Sequence, residues 1–154
     1  MTQREELWFD IRRFSNGNRL NITGYVGINE TKRERVRGQL TRLPGSPTIW
    51  VSHGLFVPEK YRGKGYSQAY NAFMLHQAWV KLGASAVIAS VKYDNDVQRN
   101  RLERLQWTQI SNALFMVKPS PLEDDDSSST LYDFYPPLNQ NPDSPWIRTV
   151  TWSK

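Results

Sequence analysis

The stretch that most constrains this chain is Val57-Pro58-Glu59-Lys60-Tyr61-Arg62-Gly63-Lys64-Gly65-Tyr66-Ser67. A strand-like run, residues 48–57, ends at Pro58. A basic, Gly-rich turn follows, and an apolar helical segment, residues 65–82, opens at once. Free N–H groups at a helix start, with the positive end of its dipole, make an anion site. Glycine lets the backbone approach a phosphate without a Cβ in the way. Arg62 and Lys64 add counter-charge, and the Ser67 hydroxyl is placed to donate a hydrogen bond. The spacing is neither Gly-x-x-x-x-Gly-Lys-Ser/Thr nor Gly-x-Gly-x-x-Gly, since only Gly63 and Gly65 are present. Taken alone, the pattern also fits an ordinary turn before a helix.

The elements around it alternate in a readable way. Residues 6–14 and 19–28 have strand character, and Ser15-Asn16-Gly17-Asn18 supplies the positive-φ turn of a tight hairpin between them. A charged stretch, 29–37, leads into a strand near 36–43, and Pro44-Gly45-Ser46-Pro47 reads as a turn. The first third is therefore a β-meander. The 65–82 helix is apolar on nearly every side, so it should be covered on more than one face, and Gly83 stops it. Residues 84–91 form a continuous apolar run expected of a buried strand. Asp94-Asn95 then caps a helix over 96–105, and two short strands, 107–110 and 113–117, follow. There is no internal repeat.

At 154 residues the chain suits one hydrophobic core. It has no Cys and only His53 and His76, which excludes a disulfide framework, a thiolate metal site and a Cys nucleophile; no metal site is expected. The N-terminal residues carry charges with no apolar stretch behind them, and no run reaches the ~18 apolar residues of a membrane span. The expectation is a cytoplasmic protein, or a virion-associated one if phage-encoded, with no membrane partner. Charge is uneven: residues 1–118 hold 18 Lys and Arg against 9 Asp and Glu, residues 119–154 only 2 against 6. A basic body suits an anionic ligand. Six of the nine prolines also fall in 119–154. That part reads as an acidic, Pro-rich loop followed by a docking arm, with Leu131–Tyr135 and Trp146–Trp152 aromatic enough to pack on something.

The order strand, Val-Pro, Tyr-Arg-Gly-Lys-Gly, long helix, Gly, strand, Asn, short helix, Leu-x-Trp resembles the GNAT N-acetyltransferase superfamily, as a reduced or phage-type member. Its acetyl-CoA signature Arg/Gln-x-x-Gly-x-Gly/Ala falls on Arg62, Gly65 and Ser67, with Ser replacing the last small residue. The resemblance is specific over 48–107 and extends to about 19–118. It implies an α+β fold: a mostly antiparallel sheet splayed at the cofactor site, two main helices and an extra C-terminal arm. Residues 1–118 would be the acyl-CoA-binding domain. Arg62, Gly63, Lys64, Gly65, Tyr66 and Ser67 would hold coenzyme A, the backbone near Leu55 and Val57 would bond its pantetheine arm, and Asn95 would lie beside that arm. Three departures stand out. Leu102 occupies the place of the family's Tyr, Gln106 replaces a Gly, and the two helices usual between the first two strands are missing.

The activity implied is transfer of an acetyl group from acetyl-CoA to an amine on a small molecule or protein. His53 is the candidate base, Glu59 a second one, and Tyr93 a candidate acid; Tyr66 is the alternative acid, and His76 is assigned no chemistry. The alternative is a non-catalytic GNAT-like structural or interaction protein, such as a component of a phage particle, working as a homo-oligomer or with an assembly partner. Nucleic acid is the least favoured partner, carried only by Arg33, Arg35 and Arg37, which would share one face of an extended strand.

Overall fold

The computed structural model describes residues 6–27, 29–92, 94–104, 107–119 and 146–153. Strands β1 (Glu6–Phe14), β2 (Arg19–Val26), β3 (Arg33–Arg42), β4 (Ile49–Phe56), β5 (Ala86–Ser90), β6 (Thr108–Gln109), β7 (Leu114–Val117) and β8 (Trp146–Ser153) form one sheet in the order β6-β7-β5-β4-β3-β2-β1-β8. Helix α1 (Tyr66–His76) lies between β4 and β5, and helix α2 (Asp96–Arg104) between β5 and β6. The fold is mixed α+β. All pairings are antiparallel except β4 with β5 and β1 with β8. The acidic, Pro-rich stretch and Leu131–Tyr135 lie outside the described residues.

The β1–β2 connection is as tight as the Asn-Gly pair requires. Ser15, Asn16 and Gly17 all have positive φ, at 55°, 56° and 85°. The strands then pair without interruption from Phe14↔Arg19 to Leu7↔Val26. No helix intervenes.

Strand alternation divides the sheet into two unlike faces. Phe9, Ile11, Leu20, Ile22, Val36, Leu40 and Trp50 are fully buried on one face. Helix α1 packs there: Phe73 stacks on Phe9 with ring centroids 4.2 Å apart, and Tyr70 meets the same ring edge-on at 6.3 Å. Helix α2 is on that face too, since Arg99 lies 5.8 Å over the ring of Phe115, which pairs with Ala89 and so shares a row with Ser52. The apolar belt of α1 packs against the sheet, at β3 and β8. Tyr66, Ala69, Tyr70, Ala72, Phe73, Met74 and Leu75 are all buried. The helix ends in a π-helical turn, Gln77–Lys81, after which left-handed Gly83 lets the Ala84 amide donate back to the Ala78 carbonyl at 2.9 Å.

The strand after the charged stretch starts at Arg33, three residues earlier than composition indicates, because β2 offers a full-length edge to pair with. A bulge sits at Arg35, where Gly24↔Val36 is followed by Tyr25↔Glu34. It breaks the alternation that would have aligned three arginines. Arg35 turns over the Tyr61 ring at 4.0 Å, whereas Arg37 lies over Phe56 at 4.9 Å on the other face. The basic edge expected from Arg33, Arg35 and Arg37 does not form. Among the described residues no helix is long and apolar enough to cross a membrane.

Close packing of α1 on β3 depends on Gly38. A Cβ there would lie 2.2 Å from the Tyr70 hydroxyl and 2.5 Å from its ring. Gly38→Ala is therefore expected to lower stability by about 1–3 kcal/mol, the usual cost of overpacking, read as a lower urea midpoint at unchanged m-value. A midpoint equal to wild type would contradict this account of the α1–sheet contact.

Candidate active site

Strands β4 and β5 run parallel and pair from Ile49↔Ala86 to Ser52↔Ala89, and no further. Two features force them apart. Gly54, at φ 69°, makes a bulge against β3, so that Gln39↔His53 is followed by Arg37↔Phe56. Pro58 then ends β4 without an amide to donate. On the other side, the chain leaving β5 bonds to β7's side of the sheet, through Val91 N–H to the Ala113 carbonyl at 2.8 Å. The gap between the strands is a cleft of about 770 Å³.

One end of the cleft is the Gly-rich loop. A short 3₁₀ turn, Glu59–Tyr61, carries the chain round, with Tyr61 N–H donating to the Pro58 carbonyl at 2.9 Å and Arg62 N–H to the Glu59 carbonyl at 3.2 Å. Arg62 then buckles the loop to the strand end: its Nε donates to the Val57 carbonyl at 2.9 Å. Gly63 and Gly65 both take left-handed φ, 79° and 90°. A Cβ at Gly63 would meet nothing within 4 Å, so backbone conformation selects glycine there, not crowding. Within the helix the Gly65 carbonyl accepts from Ala69 at 3.0 Å. The first turn of α1, with the positive end of the helix dipole, faces the loop. Ser67 and Asn71, one turn apart, line the cleft below it.

Cations gather at the loop. The ring of Tyr61 has Arg35 at 4.0 Å, Lys60 at 5.1 Å and Lys64 at 6.0 Å, and it packs edge-on against buried Tyr66 at 6.2 Å. From α2, half-buried Arg101 enters the cleft wall, with its Nη1 donating to Gln98 Oε1 at 2.9 Å. Burial, then the charge of Arg104, pushes its pKa below the usual arginine range, but a guanidinium stays charged at neutral pH.

The other end of the cleft lies across the sheet. His53 alternates with Ser52, which shares its face with buried Trp50, and so faces away from both helices. Its Nε2 is 2.7 Å from Thr41 Oγ1. Burial, then the charge of Arg19, lowers its pKa below the ordinary 6.5 of histidine. The imidazole is therefore neutral at pH 7, with Nε2 engaged by Thr41 and the role of Nδ1 set by the tautomer.

The cleft wall thus brings together His53, Leu55, Val57, Arg62, Gly63, Ser67 and Asn95 of the residues expected from sequence. Lys64, Gly65 and Tyr66 belong to the loop but not to the cleft wall, and the side chain of Tyr66 is buried in the core. Glu59 is exposed on the 3₁₀ turn, away from the cleft. Tyr93 lies outside the described residues. Asn95 has a structural task as well, since its Oδ1 accepts from the Gln98 amide at 3.2 Å and caps α2. Leu102 is buried and carries no polar group into the site. Sequence reasoning missed Tyr70, Asn71, Gln98, Arg101 and Trp107 as wall residues. The four-residue spacing from Ser67 to Asn71 was available as a signal; the others depend on how α2 docks.

Two buried donors in this wall have no hydrogen-bond partner: Tyr70 Oη and Trp107 Nε1. Each orphaned donor costs about 1–3 kcal/mol.

No protein-family model and no curated protein matches the chain. Solved structures do. RimJ from Mycobacterium smegmatis, in complex with CoA-disulfide, superposes with a TM-score of 0.64 at 14% identity, covering 86% of this chain and 64% of that one. The spermidine N-acetyltransferase from Vibrio cholerae, in complex with CoA and spermine, gives 0.56 at 9% identity, covering 67% of each. A GNAT-family protein from Desulfovibrio desulfuricans gives 0.57 at 10%, covering 68% and 71%. The chain thus spans about two thirds of the length of these proteins. The splayed β4–β5 pair, the Gly-rich loop opening α1 and these superpositions establish that the chain has the GNAT N-acetyltransferase fold.

Proposed function

We propose that this protein is an acetyl-CoA-dependent N-acetyltransferase acting on an amine. The observation that carries the reading is one continuous cleft, with the Gly-rich start of α1 at one end and a neutral imidazole at the other. The chemistry of the wall fits coenzyme A. Its pyrophosphate matches the Arg62–Ser67 loop, with Arg35, Lys60 and Lys64 close by. Its pantetheine arm offers amide carbonyls, the acceptors that Tyr70 Oη and Trp107 Nε1 lack. Beyond Ser52, β4 has no partner on its β5 side, so the backbone at Leu55 and Val57 is open to strand-like bonding by the same arm. Binding of CoA by the structurally similar RimJ and spermidine N-acetyltransferase supports this assignment.

Bound acetyl-CoA supplies an activated acetyl thioester. The protein's part is to hold it and to prepare the amine. With His53 donating Nε2–H to Thr41, the Nδ1 lone pair takes the proton that the amine must lose. Burial and Arg19 keep that lone pair free at neutral pH. The residues assigned to both tasks lie within residues 1–118.

Two experiments test the reading. Acetyl-CoA at ~100 times its dissociation constant should stabilise the wild type by about 2.7 kcal/mol, and Arg62→Glu should abolish the shift while Arg62→Lys keeps part of it. A folded wild type with no shift would leave a GNAT-like scaffold that acts through partners. The second is the pH dependence of turnover. Since the His53 pKa is lowered, the base form persists below 6.5, so activity should hold through neutral pH and fall only on further acidification. Arg19→Gln removes a repelling charge, raises the His53 pKa and moves the acid limb to higher pH. An unmoved limb, or full activity in His53→Ala, would remove His53 from the chemistry.

A further inference from the structure

Among the described residues no helix covers the face of the sheet on which His53 lies, and strand pairing fixes what that face presents. One row reads Arg12, Asn21, Gln39, His53 across β1, β2, β3 and β4. The next reads Phe14, Arg19, Thr41, Val51, and on the other side lies Asp10, Thr23, Arg37, Phe56. The first row runs about 14 Å from Arg12 to the cleft, at one strand spacing per step. Its members are polar throughout, and Asn21 Oδ1 is buried without a hydrogen-bond partner.

The charges on this face are unequal. Arg12 and Arg19 are exposed. Arg19 lies 5.3 Å over the Phe14 ring and close enough to His53 to depress its pKa. Arg37, 57% exposed, pairs with Glu34 at 3.4 Å. Lys32 caps the Trp8–Tyr25 pair, 4.7 Å from the Tyr25 ring. Among the residues whose side chains are described, Asp10 and Glu34 stand against these four cations, both half-buried at the Tyr25 end, where they raise the Tyr25 pKa after burial itself. Among the described residues, Arg19 is the charged group that acts on His53. No group of three Asp, Glu or His side chains able to hold a cation occurs among the described residues.

We infer that the acceptor is an amine carrying negative charge near its nucleophile, lying along the Arg12–Asn21–Gln39–His53 row with its anionic groups on Arg12 and Arg19. This rests on the acyltransferase reading and specifies its second substrate. A polyamine would find cations where it needs carboxylates. The amine enters beside His53, and the carboxylates or phosphates further along the acceptor meet the two guanidiniums.

The test is binding of three tripeptides, Ala-Glu-Glu, Ala-Gln-Gln-amide and Ala-Lys-Lys, to the CoA-loaded protein by calorimetry at low salt. Binding does not depend on turnover. Ala-Glu-Glu should bind about tenfold more tightly than the neutral peptide, and the preference should shrink in 0.5 M NaCl, as exposed charge pairs do. Arg12→Glu with Arg19→Glu should reverse the order while leaving stabilisation by CoA intact. O-phosphoethanolamine against ethanolamine separates phosphate from carboxylate as the favoured anion. Equal binding of the three peptides, binding of none, or preference for Ala-Lys-Lys in the wild type overturns the inference. Failure of CoA to stabilise the protein would instead strike the acyltransferase reading itself, so the two failures are distinguishable.

Discussion

The site depends on the point where β4 and β5 stop pairing. Up to Ser52 and Ala89 they are ordinary parallel neighbours. Beyond that, the Gly54 bulge and Pro58 carry one strand away while Val91 bonds to the β7 side. A sheet tolerates such a gap only if its freed backbone groups and wall residues find other partners. Here part of that demand is unmet: Tyr70 Oη and Trp107 Nε1 are buried without acceptors. The β4 edge beyond Ser52, without a partner on its β5 side, is where the proposed pantetheine arm would lie.

The tight first hairpin has the opposite effect on the other side of the sheet. With a 3₁₀ turn joining β1 to β2, and with α1 and α2 both on one face, the chain concentrates its core there. Phe9, Trp50, Tyr70, Phe73 and Phe115 form a single buried layer. The opposite face keeps half-buried Trp8 and Tyr25 and exposed Phe14 and Phe56 with cations over them: Lys32 on Trp8 and Tyr25, Arg19 on Phe14, Arg37 on Phe56. Long basic side chains cover apolar rings while keeping their charge in water. Among the described residues, this places basic side chains on the face of the sheet that carries His53.

Much of this was legible in the sequence because the local signals agreed with one another. Strand β1 starts and ends where its composition indicates, and the Asn-Gly turn, Pro58, Gly83 and the Asn95 cap each mark a real boundary. The loop from Arg62 to Ser67 was readable because its glycines are required by left-handed backbone, a local demand. What sequence could not give was set by pairing over distance. The Arg35 bulge, which scatters three arginines that look aligned, depends on the register of β2 with β3. Arg101 and Trp107 reach the cleft only through the docking of α2, which no periodicity in that short helix encodes. Glu59, adjacent to the loop in sequence, is exposed on the 3₁₀ turn that holds it, which only the fold reveals.

The central claim is that the loop and the imidazole belong to one ligand site. Titrating isotopically labelled protein with acetyl-CoA, and following backbone amides by NMR, tests it most directly. The account predicts perturbations at Gly63, Gly65 and Ser67 together with Leu55 and Val57, and at His53 through the shared cleft. Perturbations confined to exposed loops elsewhere, or none at saturating ligand, would contradict it.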